Sequence, residues 1–197
     1  MATLSQLVAA IADVEGIDAE RAGAIGRAVR EHGLIRTSGR GTSAAQMEER
    51  DAANLLIAVN TADTARTAPA AVAQYRALQA KRNRQTSEFG SEFEEMISAA
   101  KRECLADYVT KIVALLGTRG HVLGRKRFPN ERYRFSIEFE KPVPKVLVGI
   151  SLLNTSYMDF FSFADRRNPA IGESGDRRER TGISERTILA VANVLRT

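Results

Sequence analysis

The apolar positions of residues 1–80 repeat with a helical period. "LSQLVAAIADVEG" places Leu4, Leu7, Val8 and Ile11 at the i, i+3, i+4, i+7 spacing of an amphipathic helix, which Gly16 ends. "DAERAGAIGRAVREHG" repeats the pattern with Ala22, Ile25 and Val29. Asp18 is placed to cap this second helix, Arg21 falls at its N3 position, and Gly33 suits the residue just past its end. Ile17 lies in the turn between the two, where one apolar side chain is usually buried. "LIRTSGRGTSA" is too short and too rich in Gly and Ser for a helix and reads as a small hairpin. "QMEERDAANLLIAVN" then resumes helical spacing through Met47, Ala52, Leu55, Leu56 and Val59. "TAPAAVAQYRALQAKR" adds a fourth helix, with Thr67 as its cap and Pro69 early in its first turn.

Residues 81–90, "KRNRQTSEFG", are polar and free of periodicity, and mark a linker. From 91 the spacing predicts one long helix, or two shorter ones meeting near Ala106. Ser91 and Glu94 form a capping box, and Phe93, Met96, Ile97, Ala100, Cys104, Tyr108, Ile112 and Leu115 lie along one side. The period then changes to two. In "RYRFSIEFE" Tyr133, Phe135, Ile137 and Phe139 alternate with Arg132, Arg134, Ser136 and Glu138, the signature of a half-buried strand. "VLVGISLL" and "YMDFFSFA" predict two more strands, "DRRNPAIGESGDRRERTG" a polar loop, and "SERTILAVANVLR" a last helix capped by Ser184. The expected fold is α+β. It comprises a helical domain at 1–80, a linker at 81–90, and a module at 91–197 of a long helix, a three-stranded antiparallel sheet and a terminal helix.

Composition narrows the function. With one cysteine, Cys104, and two histidines, His32 and His121, the chain has neither an internal disulfide nor the residues of a zinc site. There is no Trp, and 6% of residues are aromatic, so a platform for stacked bases is poorly supplied. "MATLSQLVAA" lacks the basic start and apolar core of a signal peptide, and no apolar run reaches the ~20 residues of a membrane span, so a cytoplasmic protein is expected. The net charge of +5 suggests a polyanionic partner. Residues 1–80 carry −1 and residues 81–197 carry +6, yet residues 21–43 are locally basic, with Arg21, Arg27, Arg30, Arg36 and Arg40 against Glu31 alone.

The segment "REHGLIRTSGRGTSAAQMEERDAANLLIA" decides between two chemistries. A phosphate-cradling loop needs G-x-x-x-x-G-K-[ST] between a strand and a helix. Here Gly33 and Gly39 are too far apart, Arg40 replaces the Lys, and a helix precedes. "GTRGHVLGRKR" likewise follows a helix and matches no nucleotide fingerprint. The order helix, tight turn, helix, short hairpin, helix is instead that of a winged helix-turn-helix, whose second helix enters the major groove of DNA while the hairpin touches the flanking backbone or minor groove. Gly23 and Ala24 would let that helix approach the groove floor. Arg21, Arg27 and Arg30 would reach base edges or phosphates, and Arg36 and Arg40 would flank the wing.

In Gly33-Leu34, Arg36, Arg40, Asp51 and Leu55-Leu56 this segment resembles the run from recognition helix through wing to the next helix in MerR-like and excisionase-like winged helices. It departs from them in having no aromatic residue in the second helix and no Tyr closing the wing. The wording is also similar to proteins of bacterial prophages, and the order of modules resembles that of phage terminase small subunits, which mark viral DNA for packaging by a separate ATPase. The resemblance implies a sequence-specific double-stranded DNA-binding protein that forms a homo-oligomer and works with a large terminase subunit in the host cytoplasm. A MerR-like regulator of phage genes is the alternative, with residues 91–116 as a dimer helix and the β module sensing a ligand or partner. A phage accessory or structural protein with no DNA role is the third.

Other residues carry less. Arg125, Lys126 and Arg127 form a basic cluster suited to phosphate contacts, as do Arg166 and Arg167, and Arg177, Arg178 and Arg180, although acids interleave in the last two groups. His32 at a helix C-terminus is read as a cap, Cys104 as a buried small hydrophobe, and Glu92, Glu94 and Glu95 as complements to a helix start. No nucleophile, metal cluster or nucleotide loop emerges. An enzyme is not expected, and neither is a cofactor.

Overall fold

The computed structural model describes residues 2–37, 45–80, 103–119, 133–152, 158–164 and 178–197. Within them the chain is a mixture of helices and one antiparallel sheet. Four helices follow the periodicity of the first half: α1 (Leu4–Glu15), α2 (Ala19–Glu31), α3 (Glu49–Thr61) and α4 (Ala68–Arg76). Thr3 starts α1 by a capping box, its hydroxyl accepting from the Gln6 N–H at 3.3 Å while its own N–H donates to Gln6 Oε1 at 2.8 Å. Gly16 ends α1 with φ of 66°. Asp18 caps α2 through Oδ1, 2.7 Å from the Glu20 nitrogen, and Gly33 follows α2 with φ of 72°. Both glycines occupy the left-handed region that other residues enter at a cost.

α3 is the centre of the molecule. Every residue from Asp51 to Thr61 is buried, so this helix has no solvent face and must be covered all round. α1, α2, α4 and two later helices surround it, and strands meet it at one end. Each fully buried Leu, Ile or Val contributes about 1.5–3 kcal/mol, which makes the Leu55-Leu56-Ile57 run the densest stabilising stretch of the first half.

β1 (Gln79–Ala80) cuts α4 shorter than the "TAPAAVAQYRALQAKR" spacing predicts. Thr67 makes no side-chain capping bond; it pairs with Thr64 instead. The Leu105 N–H donates to the Leu78 carbonyl at 2.8 Å and Cys104 bridges Gln79, which pulls residues 103–104 out of helical geometry. α5 (Leu105–Arg119) therefore starts afresh. An unbroken helix over 91–116 is excluded by the helix start at Leu105; the first of two helices meeting near Ala106 falls on residues outside the described ones. Residues 91–102 lie outside the described ones, as does the expected linker at 81–90.

The sheet has five strands where three are expected. β2 (Tyr133–Lys141), β3 (Lys145–Leu152) and β4 (Met158–Ala164) are the three read from alternation, and β1 and β5 (Glu179–Ser184) extend them in the order β1-β4-β3-β2-β5. β5 lies where a polar loop is expected. It pairs with β2 so that Ile183 stands opposite Ile137 and Arg180 opposite Glu140. A buried apolar pair on one face and a charged pair on the other offset an otherwise poor strand sequence. Phe135, Ile137 and Phe139 of β2 and Val146, Val148 and Ile150 of β3 are buried. Tyr108 of α5 packs its ring 5.2 Å from that of Phe163 in β4.

α6 (Glu185–Arg196) follows β5 without a gap, with Ser184 Oγ accepting from the Arg186 N–H at 3.3 Å, the cap expected from the sequence. α6 packs on α1 and α5, and α3 packs on α5. One hydrophobic core thus runs from Ala2 to Ala192, joining the helices of the first eighty positions to the sheet and α6.

Candidate nucleic-acid interface

α2 is held from one side. Ala22, Ile25, Gly26 and Val29 are buried against α1, α3 and α4. Gly26 sets the distance: a Cβ there would lie 3.3 Å from Val8 Cγ2, 3.4 Å from Leu55 Cδ1 and 3.5 Å from Leu4 Cδ1. The hydrophobic stripe in the sequence included Ala22, Ile25 and Val29 but gave no sign that Gly26 belongs to it.

The opposite side of α2 carries Glu20, Arg21, Gly23, Ala24, Arg27, Arg30 and Glu31, all exposed or half-buried. Arg27 and Arg30, three residues apart, share that face. Arg27 lies back along the helix, its Nη1 3.5 Å from where a Gly23 Cβ would stand. Neither arginine forms an ion pair with another described residue, although Glu31 is one turn from Arg27. His32 closes the helix by placing Nδ1 2.8 Å from the Ala28 carbonyl, the capping role expected of it.

The remaining described arginines of residues 21–43, Arg21 and Arg36, are engaged. Arg21 Nη2 donates to the Ala62 carbonyl at the end of α3, 3.0 Å away, a cation at the negative end of a helix. Arg36 pairs with Glu48 and sits 3.7 Å from the buried Asp51. Asp51 also accepts the backbone N–H groups of Arg36 and Glu48, each at 3.0 Å. It therefore staples together the two ends of the segment between residues 36 and 48. Met47 donates its N–H to the Ala2 carbonyl at 2.9 Å, and Ile35 and Met47 are buried, which anchors the same base to the core. Arg36 is thus part of the base of the expected wing, not an open phosphate ligand. Arg40, at the expected wing tip, and Arg125, Lys126 and Arg127 lie outside the described residues, as do Arg166, Arg167 and Arg177. Arg178 and Arg180 face Glu140 on the sheet, at 3.5 and 3.1 Å.

A second polar region was not foreseen. A cleft of about 550 Å³ opens between the α1–α2 turn, the end of α3, the β2–β5 edge and the start of α6, with Glu15, Arg21, Asn60, Glu138, Lys141 and Arg186 in its walls. Asn60 Nδ2 donates to both Glu15 carboxylate oxygens at 3.3 Å and to the Leu56 carbonyl at 3.0 Å, while Asn60 Oδ1 is buried with no hydrogen-bond partner among the described residues. Burial raises the Glu15 carboxyl to about 7, and the Asn60 bond pulls only weakly the other way. Lys141 is held 2.5 Å from Asp63 and 3.6 Å from Glu179. The Tyr75 hydroxyl donates to the Glu140 carbonyl at 2.6 Å and is pushed up to about 12 by burial and then by the Glu140 and Asp63 charges.

Cys104 is half-buried ahead of α5, its Sγ 3.1 Å from Asp107 Oδ2, and burial raises its thiol. Among the described residues no group of His, Cys, Asp and Glu is placed to hold a metal ion, and no helix is long and apolar enough to cross a membrane. No protein family, curated protein or solved structure matches this chain.

Proposed function

We propose that the chain binds double-stranded DNA through the outer face of α2 together with the segment that Asp51 closes. The observation that carries this reading is the contrast on α2: Arg27 and Arg30 share its outer face with no acidic partner among the described residues, while α1, α3 and α4 hold its inner face. Gly23 and Ala24, beside them, leave the helix surface low enough to enter a groove. Each bidentate arginine–guanine pair is worth about 1–3 kcal/mol of discrimination. The order α1, α2, stapled segment, α3 supports a winged helix-turn-helix of the MerR-like kind, and the resemblance to phage terminase small subunits makes marking of viral DNA for packaging the favoured role.

A gel shift with random-sequence duplex in low and moderate salt tests the DNA role. Binding that weakens steeply with salt is expected, since arginines displace counterions. Absence of binding at low salt would leave an accessory protein. The packaging role predicts a ring of about eight or more subunits by native mass, whereas a transcription regulator predicts a twofold dimer. The feature that favours the regulator is the 550 Å³ cleft, a site where a ligand could act beside the DNA-facing helices.

A further inference from the structure

The start of α2 has little apolar anchorage. Of residues 19–24 only Ala22 is buried, and the Asp18 cap bonds to Glu20 within the helix itself. The directed contact that ties this end to the rest of the molecule is Arg21, whose Nη2 donates to the Ala62 carbonyl at 3.0 Å. Ala62 is 2% exposed, and no other described residue donates to its carbonyl. Losing Arg21 therefore strands a backbone acceptor as well as freeing a helix end.

The other end of α2 is fastened separately. Asn54 Nδ2 donates to the Leu34 carbonyl at 2.7 Å, and the Arg36 N–H donates to Asp51 Oδ1 at 3.0 Å. Midway, a Cβ on Gly26 would stand 3.4 Å from Leu55 Cδ1. α2 thus runs antiparallel to α3, with Ala62 beside its start, Leu55 beside its middle, and Asn54 and Asp51 beside the residues that follow it. Two fastened ends fix the tilt of α2 on α3. With the far end alone fastened, any swing grows toward the start of the helix. Arg27 lies about 6 Å of helix rise from the end of α2 at Glu31, and Gly23 about 12 Å, at roughly 1.5 Å per residue.

On the DNA reading of α2, on which this inference rests, that gradient matters. A recognition helix reads base edges with its N-terminal residues. Hydrogen bonds to bases need donor–acceptor distances of about 2.7–3.2 Å and near-linear geometry, whereas phosphate attraction is electrostatic and carries no sequence information. We propose that Arg21 is a positioning residue. It locks the first turn of α2 to the end of α3 and so sets the depth at which Gly23, Ala24 and Arg27 enter the major groove, without touching DNA itself. Arg21 serves sequence preference, and the arginines of the outer face make the contacts.

The test is fluorescence anisotropy on the whole chain, wild type and Arg21→Met, with a duplex selected by the wild type from a random library and with a random duplex, each over a salt series. The preference of Arg21→Met for the selected duplex should fall about tenfold. Its affinity for random duplex should stay within about twofold of wild type, with the same salt slope. Arg21→Lys is the second variant, and serves alone if melts show Arg21→Met unfolded. It keeps the charge a phosphate would need but not the reach and fork of the guanidinium, so its preference should fall as well. The proposal is overturned if both folded variants discriminate as wild type does. It is also overturned if Arg21→Met loses affinity for both duplexes alike with a salt slope lower by about 0.9, the mark of a lost phosphate contact. A wild type that binds duplex without preference sinks this assignment and leaves DNA binding standing; a wild type that binds no duplex sinks both.

Discussion

Two pairs of arginines, alike in sequence, have opposite circumstances in the fold. Arg27 and Arg30 stand on α2 with no ion pair among the described residues, while Arg178 and Arg180 flank Glu140 at 3.5 and 3.1 Å. Along the chain both pairs are closely spaced arginines with a glutamate beside them, Glu31 after the first pair and Glu179 within the second. The difference lies in what the opposite element supplies: β2 brings a carboxylate directly across from Arg180, whereas among the described residues no acid pairs with Arg27 or Arg30 on the outer face of α2. A positive residue count therefore says little about positive charge available to a partner. The pairing across elements decides it.

The sharpest way to break this comparison is to neutralise each pair in turn. Arg27→Ala with Arg30→Ala is expected to cost about 2–4 kcal/mol in affinity for a selected DNA site while leaving Tm nearly unchanged. Arg178→Ala with Arg180→Ala should leave DNA affinity unchanged. Fluorescence anisotropy on both double variants, with thermal melts alongside, checks the pair; equal DNA affinities for the two would remove the distinction drawn here.

The next effect concerns what holds α2 in place. At Gly26 an Ala has its Cβ 3.3 Å from Val8 Cγ2, a contact that side-chain adjustment can relieve, and it gains about 1 kcal/mol of helix propensity. Gly26→Ala should therefore be close to neutral. Gly26→Val adds two more methyl groups against Val8, Leu55 and Leu4 and should destabilise by about 2–3 kcal/mol in urea denaturation. Asp51→Ala should cost about 1–3 kcal/mol, because it strands the Arg36 and Glu48 N–H groups at the base of the segment that α2 leads into.

How much of this was legible in the sequence follows from the range of the interactions involved. The helices α1, α2 and α6 with their caps at Asp18 and Ser184 are local features, and spacing alone places them. So is the alternation of β2. β5 was not legible, because "ERTGIS" has only Ile183 to mark an inner face and depends on Ile137 and Glu140, about forty positions earlier, to make it a strand. The break at residues 103–104 was blurred because helical spacing continues across it; the Leu78–Leu105 and Gln79–Cys104 pairings decide it from a distance. The same holds for the site residues. Arg27 and Arg30 follow from the helix face, but the engagement of Arg36 by Glu48 and Asp51, of Arg21 by Ala62, and of Glu15 by Asn60 needs residues that only the fold brings together.

A carboxyl whose folded-state value lies above its ordinary one contributes a pH dependence of definite sign. Glu15 rises from 4.5 to about 7, so between these values the folded chain holds a proton that the unfolded chain has lost, and stability falls as pH rises through that window. Glu15→Gln should remove this slope and make the protein more stable than wild type at pH 8 by about 1 kcal/mol, less than full linkage gives because the cleft is open to solvent. Melts at pH 5 and pH 8 on the two proteins measure it.

The smallest effect on stability carries the finest test of the arginine comparison. Glu140→Gln removes the carboxylate between Arg178 and Arg180 but keeps its size. Arg180 is 64% exposed, so its ion pair is screened, and the loss should stay under about 1 kcal/mol. The consequence for binding is larger in kind. The Arg180 guanidinium is released on a chain that, on the DNA reading, already binds duplex through α2. If the newly free charge can reach phosphate, the slope of log affinity against log salt should steepen by about 1, at roughly 0.9 per neutralised phosphate, with no change in preference between sequences. If the slope stays as it was, the outer face of the sheet points away from the duplex, and DNA contact is confined to the side of the molecule that α2 occupies.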